Sequence, residues 1–302
     1  MRIVTRADFD GVVCAVLLYD AEEVDEPVKW VEPNDMQKGK VTIKEGDIVA
    51  NLPYHPDCAL WFDHHFTNRR GNDFKGAFKM APSAAGVIFD YYGKNEGSVF
   101  NRDYTELVRQ ADKIDAADLS QEEVRHPESY PYILLSMTIS STSSQDEPYW
   151  NRLIGLLREK EIGDVMADPE VRERCGAVIR RNQAYKGYLK DYTRMEGVVA
   201  VTDFRSFDEA PTGNRFLVYS LFPDAVVHVR IRYVGEASDK VIVNVGHSIF
   251  NRNCNVNVGA LLSRYGGGGH AGAGSCSLKR ESAEPAIADI VETLKKNDAI
   301  TQ

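Results

Sequence analysis

The chain has 302 residues, 43% of them hydrophobic and 27% charged, with a formal net charge of -9. The length predicts two domains, and the composition is that of a globular protein rather than a disordered or fibrous one. The negative charge disfavours binding along duplex DNA, which needs many Lys and Arg contacts to phosphate, and it leaves room for a small, local phosphate site. Cys14, Cys58, Cys175, Cys254 and Cys276 show no CxxC spacing. Neither a zinc ribbon nor a disulfide framework is therefore expected, and reduced thiols in a cytoplasmic protein fit best. No run of eighteen apolar residues and no signal-peptide apolar core are present, so no membrane span is expected.

In chain order, residues 2–5 read as a strand that breaks at Arg6-Ala7-Asp8-Phe9-Asp10-Gly11 and passes at once into an apolar helix. One Asp there is explained as a helix cap, but two in a loop can also converge on a cation. Gly11 permits the sharp turn. Short strands follow at 28–32 and 47–52, the second with Asn51 at its C-terminal end before Pro53, and an apolar run at 58–62 leads into Asp63-His64-His65. Neighbours on an extended chain point to opposite faces, so this trio reads as a tight turn at a strand end, or as a polar loop cap. Helices are expected at 82–92 and 104–111. The second runs into Asp112, Asp115 and Asp118, which share one face if the helix continues and otherwise form a solvated acidic face.

Residues 119–150 read as loop-rich, with Pro127, Pro131, Pro148 and the polar run 140–144. Helices follow at 150–160 and 169–194, the second a connector. After Glu196 the pattern changes to strands at 197–202, 216–221, 225–233 and 240–246, a helix at 256–265, a glycine run at 266–269 with His270, and a closing helix at 282–297. Strands that cluster with few helices between them predict a separate α+β domain. Consecutive glycines expose backbone N–H groups that can form an anion-binding nest, so Gly267, Gly268, Gly269 and His270 are candidates for gripping phosphate.

Together, Asp8-Phe9-Asp10-Gly11, Asp63-His64-His65, the acid after Leu107-Val108, and residues 256–274 with their Gly-Gly-Gly-Gly-His run resemble the DHH family of phosphoesterases, in order and over almost the whole chain. The resemblance implies a parallel-sheet N-terminal α/β domain over 1–168, a helical linker over 169–195, and a smaller C-terminal α+β domain with a mixed sheet over 196–302. It implies hydrolysis of phosphoester bonds with Mn2+ or Mg2+. By the family's pattern Asp8 holds a first metal, with Asn51 at the bridging position, and Asp10, His64 and Asp112 hold a second. His65 faces the phosphate and can protonate the leaving oxygen, Asp63 orients an imidazole, and Gly267–Gly269 with His270 grip the distal phosphate. Asp115 is a rival to Asp112.

Two positions depart from that pattern. Arg6 and its neighbours stand where most members have a His, and Asn51 replaces a bridging Asp. Both changes fall on the first metal, which predicts one tightly bound ion, with Arg6 gripping phosphate in place of the other or merely pairing with Asp8. Short oligonucleotides and linear or cyclic dinucleotides are the expected substrates. Polyphosphate or another small phosphoester is an alternative, as is a non-catalytic module that senses a phosphorylated ligand. A homodimer is left open.

Overall fold

The computed structural model describes residues 1–69, 71, 73–93, 99–139, 144–235 and 239–299. The backbone divides into two compact units, Met1–Leu119 with Glu128–Gly176, and Ser120–Pro127 with Ala177–Gln302.

The first unit runs β1 (Arg2–Thr5), α1 (Phe9–Ala21), β2 (Lys29–Trp30), α2 (Pro33–Gln37), β3 (Asp47–Ala50), β4 (Leu60–Asp63), β5 (Gly76–Phe78), α3 (Ala84–Tyr92) and α4 (Thr105–Asp115). After α5 (Gln121–Arg125), which belongs to the second unit, it continues with α6 (Pro131–Ser136), α7 (Glu147–Glu159), α8 (Ile162–Ala167) and the start of α9 (Pro169–Tyr192). Its five strands are all parallel in the order β2-β1-β3-β4-β5. Ile3, Val4, Ile48, Val49, Ala50, Trp61 and Phe62 are fully buried, as expected where a parallel sheet is covered on both faces. The helix α1 is apolar all round and buried over Phe9 to Leu18, the pattern of a core helix. The chain leaves β1 for β2 on one side and returns to β3 on the other. That reversal opens a crevice at the carboxyl ends of the strands, where α/β sheets hold ligands.

The second unit adds β6 (Thr193–Glu196), β7 (Val199–Asp203), α10 (Leu217–Leu221), β8 (Val227–Tyr233), β9 (Lys240–His247), α11 (Val258–Ser263), β10 (Gly268–His270), β11 (Ala273–Lys279) and α12 (Ala283–Lys296). Its sheet has the order β10-β11-β9-β8-β7-β6, and only the β7–β8 pair is parallel. Val227, Val229 and Ile231 point into a core shared with Val241, Val243, Val245 and α12 residues Ile290 and Leu294. The mixed sheet is the one expected for this half of the chain.

Three stretches differ from expectation. Residues 217–221 are helical, not a strand. A short apolar run does not distinguish the two by periodicity, and here the Asn214 side chain accepts from the Phe216 N–H while Ser220 bonds the Leu217 carbonyl. The stretch 119–150 holds α5, α6 and the start of α7 rather than mostly loop. Ser120 and Glu123 form a capping box. Pro131 and Pro148 stand in the first turns of α6 and α7, where the missing N–H costs nothing. Residues 140–143 of the polar run lie outside the described residues. The third difference is that the glycine run enters a strand, β10, instead of remaining a loop.

Candidate active site

Four strand ends converge at the crevice. Asp8 caps α1, its Oδ1 accepting from the Gly11 N–H at 2.8 Å and from the Asn51 side-chain amide at 3.0 Å. Arg6 Nε lies 3.3 Å from Asp8 Oδ2. Desolvation pushes the Asp8 carboxyl up to about 6 against the pull of Arg6. Asn51 follows β3 with φ 56°, a left-handed conformation that Asn tolerates better than most side chains. Gly11 is required for a reason other than turning. A Cβ there would lie 2.0 Å from the Arg6 carbonyl oxygen.

Asp10, one residue into the α1 first turn from Phe9, is buried and accepts from the Ala84 and Ala85 N–H groups at 2.9 and 2.8 Å. These are the free donors at the start of α3, which favour an anion. Burial, with Asp115 and Asp8 nearby, nonetheless holds its carboxyl well above the ordinary range. His64 Nδ1 donates to the Ala81 carbonyl at 3.0 Å. That bond fixes the ring and turns Nε2 inward, 3.3 Å from Asp115 Oδ2 and 3.9 Å from Asp10 Oδ2. Among the described residues Nε2 is buried with no hydrogen-bond partner. Asp10, His64 and Asp115 bring one ligand atom each within 4.8 Å of one another. Two carboxylates around an imidazole held in place by a backbone carbonyl fit a divalent cation of the manganese, magnesium or zinc type.

Asp63 is fully buried and accepts from His65 Nδ1 at 2.8 Å and from the Asn68 amide at 2.7 Å. The bond to Asp63 raises the His65 pKa, and the outer face of that ring is open, its side chain 38% exposed. Asp63, His64 and His65 also lie close together, but the hydrogen bonds already occupy both Asp63 oxygens.

Of the residues expected to share one metal, Asp10 and His64 come together and Asp112 does not join them. Asp112 accepts from the Ser83 hydroxyl at 2.6 Å, and Ser83 caps α3. A Cβ on Gly86 would lie 2.7 Å from Asp112 Oδ1, so this acid packs against α3. Asp115, one turn later on the same face of α4, is the acid beside His64. The Asp-x-x-Asp spacing contained both, and only the crossing of α4 over α3 separates them. Asn68 and the Ala81 carbonyl were not anticipated, because a lone Asn and a backbone oxygen carry no sequence signal.

In the second unit the glycines are largely structural. The N–H groups of Gly266 and Gly267 bond the carbonyls of Ser263 and Leu262, and Gly266 has φ 70°, a glycine cap ending α11. A Cβ on Gly267 or Gly269 would strike the backbone carbonyl of Ser275 or Ala273 at 2.4 and 2.2 Å. Both positions are therefore packed closely against β11. His270 is exposed at the end of β10.

The fold and site define an α/β protein with an acid-and-imidazole centre at the carboxyl edge of a parallel sheet. The whole chain is similar to a solved pGpG-specific phosphodiesterase, PggH of Vibrio cholerae, with 31% identity over 98% of this chain and 99% of that one and a TM-score of 0.86. The chain belongs to the DHH family of phosphoesterases. It shares its fold with RecJ of Thermus thermophilus, solved with Mn2+ and with Mg2+. Each match has 15% identity over 98% of this chain and about half of that one (52% and 49%), with TM-scores of 0.57 and 0.53. No protein-family model matches the chain, and no curated protein matches it significantly. Among the described residues no helix is long and apolar enough to cross a membrane.

Proposed function

We propose that this chain is a divalent-metal-dependent phosphodiesterase that hydrolyses short linear oligonucleotides, dinucleotides such as pGpG first among them. The observation that carries this reading is the buried, unpartnered His64 Nε2 facing Asp10 and Asp115, in a chain that matches a pGpG-specific phosphodiesterase from end to end. Asp10, His64 and Asp115 hold the ion. When bound, it supplies charge neutralisation for the phosphate and acidifies water.

The remaining steps belong to this chain's side chains. His65, its proton affinity raised by Asp63, donates from Nε2 to the oxygen that leaves phosphorus. Asp63 keeps that ring in register while Asn68 holds Asp63. Arg6 binds a phosphate oxygen, since its charge persists at any working pH.

Asn51 and Arg6 favour a variation on this reading. Asn51 gives its amide N–H to Asp8 and Arg6 pairs with the same carboxylate, so Asp8 already has cationic and amide partners. One ion is held tightly rather than two. A panel of pGpG, pApA, cyclic dinucleotides and polyphosphate with Mn2+ tests the activity, and metal analysis after dialysis tests the count. Turnover of pGpG with one Mn2+ per chain is expected. Binding of pGpG with no turnover of any substrate would leave a phosphorylated-ligand sensor in place of the enzyme.

A further inference from the structure

Beside the imidazole pair, in the same unit, stand the two most exposed large apolar side chains among the described residues. Phe66 is 66% exposed and Met80 60%, and no other large apolar side chain described exceeds 45%. Apolar side chains scattered singly over a surface need no explanation, but these two are not scattered. Phe66 comes directly after His65 at the end of β4, and Met80 comes after β5, directly before Ala81, whose carbonyl holds His64. The strands β4 and β5 are neighbours in the sheet, and the Lys79 N–H bonds the Asp63 carbonyl at 3.3 Å where the pair ends. Both residues therefore stand at the carboxyl edge of one strand pair, the edge where α/β sheets hold ligands. Nor does Phe66 belong to a loose loop. It opens a 3₁₀ turn, Phe66–Asn68, in which the Asn68 N–H bonds the His65 carbonyl at 3.0 Å and the Arg69 N–H bonds the Phe66 carbonyl at 3.2 Å. The Asn68 side chain fastens the same turn to Asp63 at 2.7 Å.

Resting on the phosphodiesterase reading above, we propose that Phe66, with Met80 from the neighbouring strand end, is the platform on which one nucleobase of the substrate stacks, that of the nucleotide whose oxygen leaves phosphorus. The place follows from His65. Its ring protonates the leaving oxygen, and that oxygen belongs to the ribose that carries this base. Consecutive Cα atoms are about 3.8 Å apart, so the side chain next to His65 is within reach of the leaving nucleotide. A phenyl ring offers a base its π face, and a thioether is polarizable and adapts to a flat partner. Both now face water, and covering them favours association. Because Asp63 and His65 already hold the turn, little order is lost when a base arrives. Stacking reads the face of a base rather than its edge. The platform therefore serves guanine and adenine alike, and it favours purines over pyrimidines through the larger area covered.

Two measurements test this. The first compares turnover of pGpG with that of an analogue lacking the base on the leaving nucleotide. In the wild-type protein the analogue has the higher KM. Phe66→Ala raises KM for pGpG about five- to tenfold with kcat within about twofold, and raises KM for the analogue by no more than about twofold. Phe66→Tyr recovers most of the loss on pGpG. A turn that had merely lost its fold would harm both substrates equally. That result, or an unchanged KM for pGpG in Phe66→Ala, overturns the platform and leaves the hydrolysis standing. The second measurement needs no turnover. Phe66→Trp places an indole at the platform, and guanosine 5′-monophosphate has no diester to hydrolyse. With Mg2+ present, this nucleotide quenches the fluorescence of Phe66→Trp more than that of the wild-type protein, whereas ribose 5-phosphate quenches neither. Equal quenching of the two proteins overturns the proposal even if pGpG is hydrolysed. Quenching confined to Phe66→Trp, without hydrolysis of pGpG by the wild-type protein, keeps the platform and removes the enzyme reading instead. A wild-type dimer in sedimentation that Phe66→Ala dissociates would place these side chains between two copies of the chain and overturn the platform as well.

Discussion

At the scale of single residues, the site rests on side chains whose hydrogen bonds leave one atom over. His64 gives Nδ1 to Ala81 and keeps Nε2; His65 gives Nδ1 to Asp63 and keeps its outer face. Adjacent imidazoles thereby take different jobs, one turned to the acids and one to the crevice. The sequence showed the pair and the acid before it, but not which acid on α4 stands beside His64. Asp112 and Asp115 differ by one helical turn, and the bond from Ser83 that holds Asp112 to the α3 cap is a tertiary contact. Asp115→Ala should weaken Mn2+ binding at least about tenfold by calorimetry, the loss expected when a ligand or its support goes. Asp112→Ala should leave Mn2+ affinity within about threefold and lower the melting temperature by a few degrees, through loss of its bond with the α3 cap. The opposite pattern would return the metal to Asp112. His65→Asn should keep Mn2+ affinity and lower kcat about a hundredfold or more, as expected of a lost general acid.

At the scale of elements, what was legible followed from pattern, and what was hidden followed from contacts between elements. The strands of the parallel sheet were readable because residues buried on both faces leave apolar runs ending in polar turns. The three-residue β5 and β10, and α2, were not, since a ladder of three pairs or a single helical turn is set by its neighbours. Prolines misled where they begin helices. Glycines misled where they pack closely, as in β10, instead of forming an open loop. Gly11 makes the last point testable. Its absent side chain lets the first turn of α1 press against the Arg6 carbonyl, and the whole strand-to-helix junction that carries Asp8 and Asp10 depends on that approach. Gly11→Ala, which in an ordinary helix interior would stabilise by up to about 1 kcal/mol, should here destabilise by about 1–3 kcal/mol in urea unfolding. Mn2+ affinity should fall with it, because both aspartates hang on the displaced turn.

At the scale of the whole molecule, the two units carry buried titratable groups of opposite sign, and pH should act on them in opposite directions. In the second unit His228 is buried on β8, bonded through Nε2 to the Thr202 hydroxyl at 2.7 Å. Burial lowers its pKa to about 3. The unfolded chain therefore binds a proton that the folded unit does not, between the ordinary histidine value and about 3. Stability must fall as pH drops through that window. In the first unit Asp8 is pushed up to about 6 and Asp10 is raised in the same direction, both first by burial. There the folded state binds the extra proton, so the metal-free unit loses stability as pH rises from the ordinary carboxylate range through about 6. A divalent ion reverses that loss by pairing with the ionised carboxylates, and its affinity is greatest where they are deprotonated. Mn2+ at about a hundred times its dissociation constant contributes about 2.7 kcal/mol, which for a unit of this size raises the melting temperature by about 5–10 °C. We expect that shift at pH 8 and little of it at pH 5, with His228→Gln flattening the acid-side loss between pH 6 and pH 4 and leaving the Mn2+ shift in place. Melting curves at the two pH values, with Mn2+ and with a chelator, measure both effects. A Mn2+ shift equal at pH 5 and pH 8 would mean that the ion does not sit among the raised carboxylates of Asp8, Asp10 and their neighbours.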